Sequence, residues 1–125
     1  MEPSRLPRFQ RVTPVAPMQL TERDRNIIRL VYRHRFLSSP QITAFIAGSP
    51  QQLLRRLQSL YHNGYLERPR AQIDYYHQGG SRPMVYGLGN KGAVMMKQEL
   101  GKAFRKISWQ EKNTLIGRIF LEHWG

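Results

Sequence analysis

The sequence predicts a small α+β domain that is mostly helical. Three segments begin with a Ser or Thr start signal and continue with apolar residues at helical spacing, whereas two later segments are β-prone. A length of 125 residues fits one domain, and 40% hydrophobic residues are enough for a modest core. These values are typical of a globular chain and exclude wholesale disorder.

Composition narrows the classes of function. The 20 Lys and Arg residues outweigh the 8 Asp and Glu residues, and the resulting net charge of +12 favours a polyanionic partner, nucleic acid first. The absence of cysteine excludes disulfides, thiolate metal sites and cysteine nucleophiles. No apolar run is long enough for a membrane span, and the N-terminus is too polar for a signal peptide. We expect a cytoplasmic protein without cofactor, metal or small-molecule ligand.

Three helices are predicted in the first half of the chain. Each start signal combines an N-cap hydroxyl with an acidic residue or Gln three positions later, or with an early proline. The first helix spans about Glu22 to His34, the second follows Ser38 and is stopped by Gly48, and the third runs from Ser49 to about Asn63. A short extended link at Phe36 and Leu37 joins the first helix to the second. The residues expected to face inward on the first two helices are Ile27, Ile28, Val31, Ile42, Phe45 and Ile46. A tight Gly-Ser-Pro turn joins the second helix to the third, which is the layout of a helix-turn-helix.

The pattern of apolar residues changes after Gly64 from helical spacing to the alternation typical of strands. Residues 65–68 and 84–88 are β-prone, and the polar segment between them carries two glycines, which predicts a two-stranded hairpin with a mobile tip. A fourth helix is expected from about Lys91 to Leu100, capped by Asn90, with Val94 and Met95 facing inward. A last amphipathic helix is expected after the capping box at residues 108–111, with Leu115, Ile116, Ile119 and Phe120 on one side.

Three helices followed by a hairpin is the order of a winged helix-turn-helix. The predicted organisation is an extended, basic, proline-rich arm at residues 1–19, a winged-helix DNA-binding domain at 20–100 and a C-terminal amphipathic helix at 101–125. That last helix either packs onto its own domain or forms a homodimer interface. The fold class is therefore α+β, mostly α, with additional C-terminal helices.

The third helix is the predicted recognition helix. At helical spacing its core stripe comprises Leu53, Leu54, Leu57, Leu60 and Tyr61. Ser59 and His62 lie on the opposite side, which has no acidic residue between Pro50 and Tyr65. Gln can pair with adenine and Arg with guanine in the major groove, and the first turns of such a helix reach base edges. The predicted base-reading residues are Gln51, Gln52, Arg55 and Arg56.

The hairpin supplies a second candidate surface, the wing. Arginines at a wing can clamp phosphate or enter the minor groove, and tyrosines can bond phosphate or stack on bases. Each of the paired tyrosines can equally pack beneath the wing, whereas Tyr86 is expected in the core. The predicted backbone and wing contacts are Ser59, Arg68, Arg70, Tyr75, Tyr76, His77 and Arg82.

Two further basic stretches leave alternatives open. Arg25, Arg29 and Arg33 recur every four residues on the first helix and either contact backbone phosphate or form a solvated face. The arm, with Arg5, Arg8 and Arg11, either enters a minor groove or is an inert leader.

Several motifs resemble a known family. They are L-T-x-R-D at residues 20–24, F-L-S-S-P-Q-I at 36–42, a leucine-rich run ending G-Y-L at 53–66, Y-x-L-G-x-x-G at 86–92 and F-L-E-H at 120–123. In this order they resemble the replication-relaxation family of plasmid and mobile-element proteins. The resemblance implies a winged helix that binds DNA in plasmid replication or DNA relaxation, and it leaves the target sequence open. Transcriptional regulation is a third candidate role for a winged helix of this kind.

Two other classes of function compete with DNA binding. Catalysis is not expected, because the four histidines lack ligand-like spacing and no carboxylate pair or phosphate-binding loop is visible. A winged helix that binds protein or RNA is the alternative, supported by Trp109, Phe120 and Trp124 in the last helix.

Overall fold

The computed structural model describes residues 8–12, 17–73 and 83–105. In these ranges, four α-helices pack on a small antiparallel sheet of three strands, so the mostly helical α+β fold class is confirmed. The helices are α1 (Glu22–His34), α2 (Ser39–Phe45), α3 (Pro50–His62) and α4 (Asn90–Leu100). The strands are β1 (Leu37–Ser38), β2 (Leu66–Glu67) and β3 (Val85–Leu88).

The helix starts lie where the local signals predict them. Thr21 and Asp24 form a reciprocal capping box at α1, and Ser38 forms one with Gln41 at α2. The Ser49 side chain accepts the N–H of Gln52 at the start of α3. Because each cap satisfies a backbone donor that the first turn leaves unpaired, these starts are determined locally.

The sheet has one strand more than the predicted hairpin. Its order is β1-β3-β2, with Leu37 opposite Tyr86 and Leu66 opposite Leu88. The segment around Leu37 was predicted only as an extended link. It becomes a strand because β3 is long enough to pair with β1 on one edge and β2 on the other. The predicted hairpin tip lies outside the described residues.

The core lies between the helices and the sheet. The predicted inward residues of α1 are fully buried, and so are Leu53, Leu57 and Leu60 of α3. Tyr86 is also buried, as predicted. The core is built from these described side chains: Ile27, Ile28, Val31, Leu37, Ile42, Leu53, Leu57, Leu60, Tyr61, Leu66, Tyr86 and Met96.

Three residues predicted to face inward are exposed instead. Leu54 is 47% exposed, Phe45 63% and Val94 57%. Leu54 lies about 100° from Leu53 on the helix, at the margin of the stripe, and the core does not reach that far. In α4 the inward positions are Gly92 and Met96, one turn apart, and this spacing turns Val94 outward.

The start of α4 lies against the backbone that leads into β2. The N–H of Gly89 donates to the Tyr65 carbonyl at 3.0 Å, and the N–H of Lys91 donates to the Gly64 carbonyl at 2.9 Å. The residue before α4, Gly89, occupies the cap position, and no side chain caps the helix. The predicted Asn90 cap is therefore wrong, because Asn90 is already the first residue of the helix. In the described part of the chain, no helix has the length and apolar character needed to cross a membrane.

Candidate nucleic-acid interface

The fully exposed residues of α3 lie in its first two turns, whereas Gln58 and the predicted contact Ser59 further along are half-buried. Gln51, Gln52, Leu54 and Arg55 are all exposed in the first two turns, and we call them the α3 face. Arg55 lies about 200° from Leu53 around the helix, directly opposite the core. Among the described residues, nothing accepts a hydrogen bond from Arg55. The α3 face therefore presents two amides, one leucine and one guanidinium to solvent.

The last turn of α3 is covered by residues 8–12, which we call the strap. His62 lies about 180° from Leu53 and was predicted on the exposed side. It is buried instead, because its Nδ1 accepts the N–H of Val12 at 3.1 Å. The strap thus removes the C-terminal part of α3 from the candidate interface.

Arg11 anchors the strap to one main-chain carbonyl in the last turn of α3 and to another in β2. Its Nε donates to the Tyr61 carbonyl at 2.8 Å and its Nη2 to the Leu66 carbonyl at 2.9 Å. The guanidinium also lies 4.7 Å from the Tyr61 ring centroid. A cation at a helix C-terminus is favourable, because the last carbonyls have no partner within the helix. Arg11 is therefore neither an inert leader nor a free minor-groove contact.

Arg68 was predicted on the wing surface, and the structure corrects this. It is only 9% exposed, and its guanidinium lies 4.4 Å from the Tyr61 ring centroid. Its Nη2 donates to the Tyr86 hydroxyl at 3.0 Å and its Nη1 to the Arg8 carbonyl at 3.0 Å. Arg68 can pack in the interior because the Tyr61 ring stabilises its guanidinium and the two oxygen atoms accept its hydrogen bonds. It is not available to DNA in this form.

Arg70 lies next to the strap but stays exposed. Its Nη1 donates to the carbonyl of Phe9 at 3.1 Å. The predicted phosphate contact by Arg70 therefore competes with a hydrogen bond that already exists. Tyr75, Tyr76, His77 and Arg82 of the wing lie outside the described residues, as does Arg5 of the arm.

Arg56 joins α3 to the first turn of α1. Its Nε donates to Asp24 Oδ1 at 2.9 Å, and its Nη2 pairs with Asp24 Oδ2. Burial of the Asp24 carboxyl would raise its pKa, but the hydrogen bonds from Arg56 and Thr21 outweigh burial and hold the pKa below its ordinary value. The same hydrogen bond to Asp24 raises the pKa of Arg56. Arg56 thus fixes the orientation of α3, which conflicts with its predicted base-reading role.

The three regularly spaced arginines of α1 differ in their surroundings. Arg29 bonds Glu99 at 2.7 Å and Glu22 at 3.0 Å, and these hydrogen bonds raise its pKa. Arg25 donates to the Leu20 carbonyl at 3.3 Å. Arg33 is exposed at the end of α1. The regular spacing therefore does not make a uniform basic stripe, and Arg29 is neutralised by two carboxylates.

The strap should detach in mild acid. Burial, together with the nearby cations Arg68 and Arg11, lowers the pKa of His62 below its ordinary value. Protonation would place an Nδ1–H against the N–H of Val12, so the contact requires neutral imidazole. Because the folded pKa is the lower one, the stabilisation is complete above about pH 6.5 and is lost as the pH falls through the folded pKa.

A fluorophore on Gln10→Cys measures this prediction, since the chain has no other cysteine. Its anisotropy should fall as the pH is lowered below about 6.5 in the wild-type background. In His62→Gln, which accepts the Val12 N–H but does not titrate, this transition should vanish. Identical pH profiles in both backgrounds would show that His62 is not the cause.

The fold and the α3 face define a small basic α+β protein with a helix-turn-helix, an arrangement compatible with a winged helix. A family model described as replication-relaxation matches residues 28–124, which is most of the chain. The chain therefore belongs to the replication-relaxation family, as its motifs predicted. No curated protein and no solved structure gives a significant match.

Proposed function

We propose that the chain binds duplex DNA by placing the first half of α3 in the major groove, and that it does so in plasmid or mobile-element replication or relaxation. Family membership supports a role in replication or relaxation. The observation that carries DNA binding is the α3 face itself, where Gln51, Gln52 and Arg55 are exposed beside one another on a helix whose other sides are packed.

The chemistry of the α3 face matches the major groove. Gln reads the N6 and N7 positions of adenine, and Arg reads O6 and N7 of guanine in a two-pronged contact. Leu54 adds an apolar group of the kind that contacts a thymine methyl. Because Asp24 holds Arg56 and the strap covers His62, the groups left for the groove are those of the first two turns, which reach base edges in helix-turn-helix proteins.

The binding of a fluorescent duplex at increasing salt tests the proposal. The apparent association constant should fall steeply between about 50 and 200 mM salt, with a log–log slope of about 0.9 per phosphate contact. An A-form RNA duplex should compete poorly, because its deep and narrow major groove does not admit a helix. Binding that is insensitive to salt, or equal binding of RNA duplex, would contradict the proposal.

Selection from a random duplex pool then determines the kind of site. A palindromic consensus would indicate a dimeric regulator, whereas binding without a consensus would favour an accessory role in replication or relaxation. The predicted dimer interface at residues 101–125 lies largely outside the described residues and stays a prediction.

A further inference from the structure

Arg23 lies against the turn between α2 and α3, although the sequence pattern did not single it out. A Cβ at Gly48 would stand 3.0 Å from Arg23 Nη1 and 3.2 Å from its Cζ. Gly48 also has a φ of +135°, a backbone conformation that favours glycine. The turn therefore leaves room for the guanidinium directly before Ser49, the N-cap of α3.

The Arg23 side chain is exposed, and in the described ranges no carboxylate forms an ion pair with it. Among the described residues, nothing accepts a hydrogen bond from its guanidinium. Its two acidic neighbours are both engaged elsewhere, since Glu22 bonds Arg29 at 3.0 Å and Asp24 is held by Arg56. Within the part of the chain that the structure describes, the positive charge at this corner of the helix-turn-helix is therefore not compensated.

The turn that Arg23 lies against, together with the helices on either side of it, carries no acidic residue. The sequence contains no Asp or Glu between Asp24 and Glu67, so α2, the turn and α3 contribute no carboxylate. A guanidinium whose acidic neighbours are engaged elsewhere, and which faces elements without carboxylates, attracts a polyanion, and its planar fork suits phosphate oxygens.

The position of Arg23 relative to the α3 face is held by its neighbour in sequence. Asp24 bonds Arg56 on α3, which ties the first turn of α1 to the second turn of α3. Arg23 is thereby kept at the turn that leads into Gln51. A phosphate bound by Arg23 would lie beside the base pairs that the α3 face reads.

We infer that Arg23 binds a DNA backbone phosphate and fixes the register of α3 in the groove. This inference rests on the proposed function and names one of its contacts. Phosphate contacts position a protein on the duplex without reading sequence, so Arg23 contributes to affinity and not to base preference.

Salt titrations of duplex binding by Arg23→Gln and Arg23→Lys test the inference. Arg23→Gln should bind about three- to tenfold more weakly and lower the log–log slope by about 0.9, which is one phosphate contact. Preference among duplex sequences should not change. Arg23→Lys should recover the slope, because it restores the charge. The matched control is Lys102→Gln, which removes an exposed cation beyond α4 and should keep the wild-type slope.

The outcomes separate this inference from the function on which it rests. A wild-type slope in Arg23→Gln, with weaker binding by Arg55→Ala, would overturn the phosphate contact and leave the proposed function intact. Absence of salt-dependent duplex binding in the wild type would overturn both. Partial unfolding of the variant cannot imitate the result, because a fixed folded fraction scales the association constant without changing its slope.

Discussion

Gly92→Ala should lower the free energy of unfolding by about 3 kcal/mol. A Cβ at this position would stand 2.3 Å from the Tyr65 carbonyl oxygen and 2.8 Å from Leu88 Cδ1. The carbonyl cannot move aside freely, since it also accepts the N–H of Gly89 at 3.0 Å. Either α4 must shift away from the backbone before β2, or this hydrogen bond must break.

Gly92→Ala is informative because the expected change in the free energy of unfolding has the opposite sign from the change in an open helix. In an open helix the same substitution would stabilise by about 0.5–1 kcal/mol, because alanine is the better helix former. Thermal unfolding measures the difference, and the midpoint should fall by about 10–20 °C for a domain of this size. The control is Val94→Ala on the exposed side of α4, which should change the midpoint little. A Gly92→Ala protein as stable as the wild type would contradict the close approach of α4 to the Tyr65 carbonyl.

Arg55→Ala should weaken binding to the selected duplex by about 10- to 100-fold. A two-pronged contact between an arginine and a guanine is worth about 1–3 kcal/mol of discrimination, and about 1.4 kcal/mol corresponds to tenfold. Arg55 is the candidate for this contact because it is exposed opposite the core and bonds no described residue. The variant should discriminate less between bases at one position of the site, whereas its affinity for unrelated duplexes should fall much less.

Binding curves for Arg55→Ala on selected and unrelated duplexes measure this prediction. Lys97→Ala is the control, since Lys97 is an exposed cation on α4. Arg56→Ala is a poor substitute, because it would also leave the buried Asp24 carboxylate without its partner. Unchanged affinity and base preference in Arg55→Ala would show that the α3 face does not read DNA.

The elements that could be predicted from sequence are those determined within a few residues. The capping hydroxyls of Thr21, Ser38 and Ser49 bond donors three positions later, so the helix starts were readable. The glycine pattern at residues 86–92 was recognised only as a motif. Its physical reason, the backbone contact at Gly92, depends on a neighbour brought in by the fold.

The candidate site was predicted less completely. Contacts with residues distant in sequence decide which of its side chains are free for DNA and which are engaged within the protein. Arg55 and Arg56 are adjacent and chemically equal, yet only Arg56 meets a carboxylate, 32 residues away. Arg11 and Val12 both reach the end of α3 across 50 residues, and the Val12 contact buries His62 on the outer side of the helix. Helical periodicity carries no information about such partners. The acid-free stretch between Asp24 and Glu67 was visible in the sequence, but the place of Arg23 at the turn was not.

Site-directed cross-linking tests most directly whether the first half of α3 lies in the major groove. Because the chain has no cysteine, Gln51→Cys and Gln52→Cys can each carry one photoactivated cross-linker, with Lys97→Cys on α4 as the control. Each α3 variant should cross-link to bases within the selected site, and the control should not. Equal cross-linking from the α4 position, or none from either α3 position while the duplex stays bound, would contradict this placement of α3.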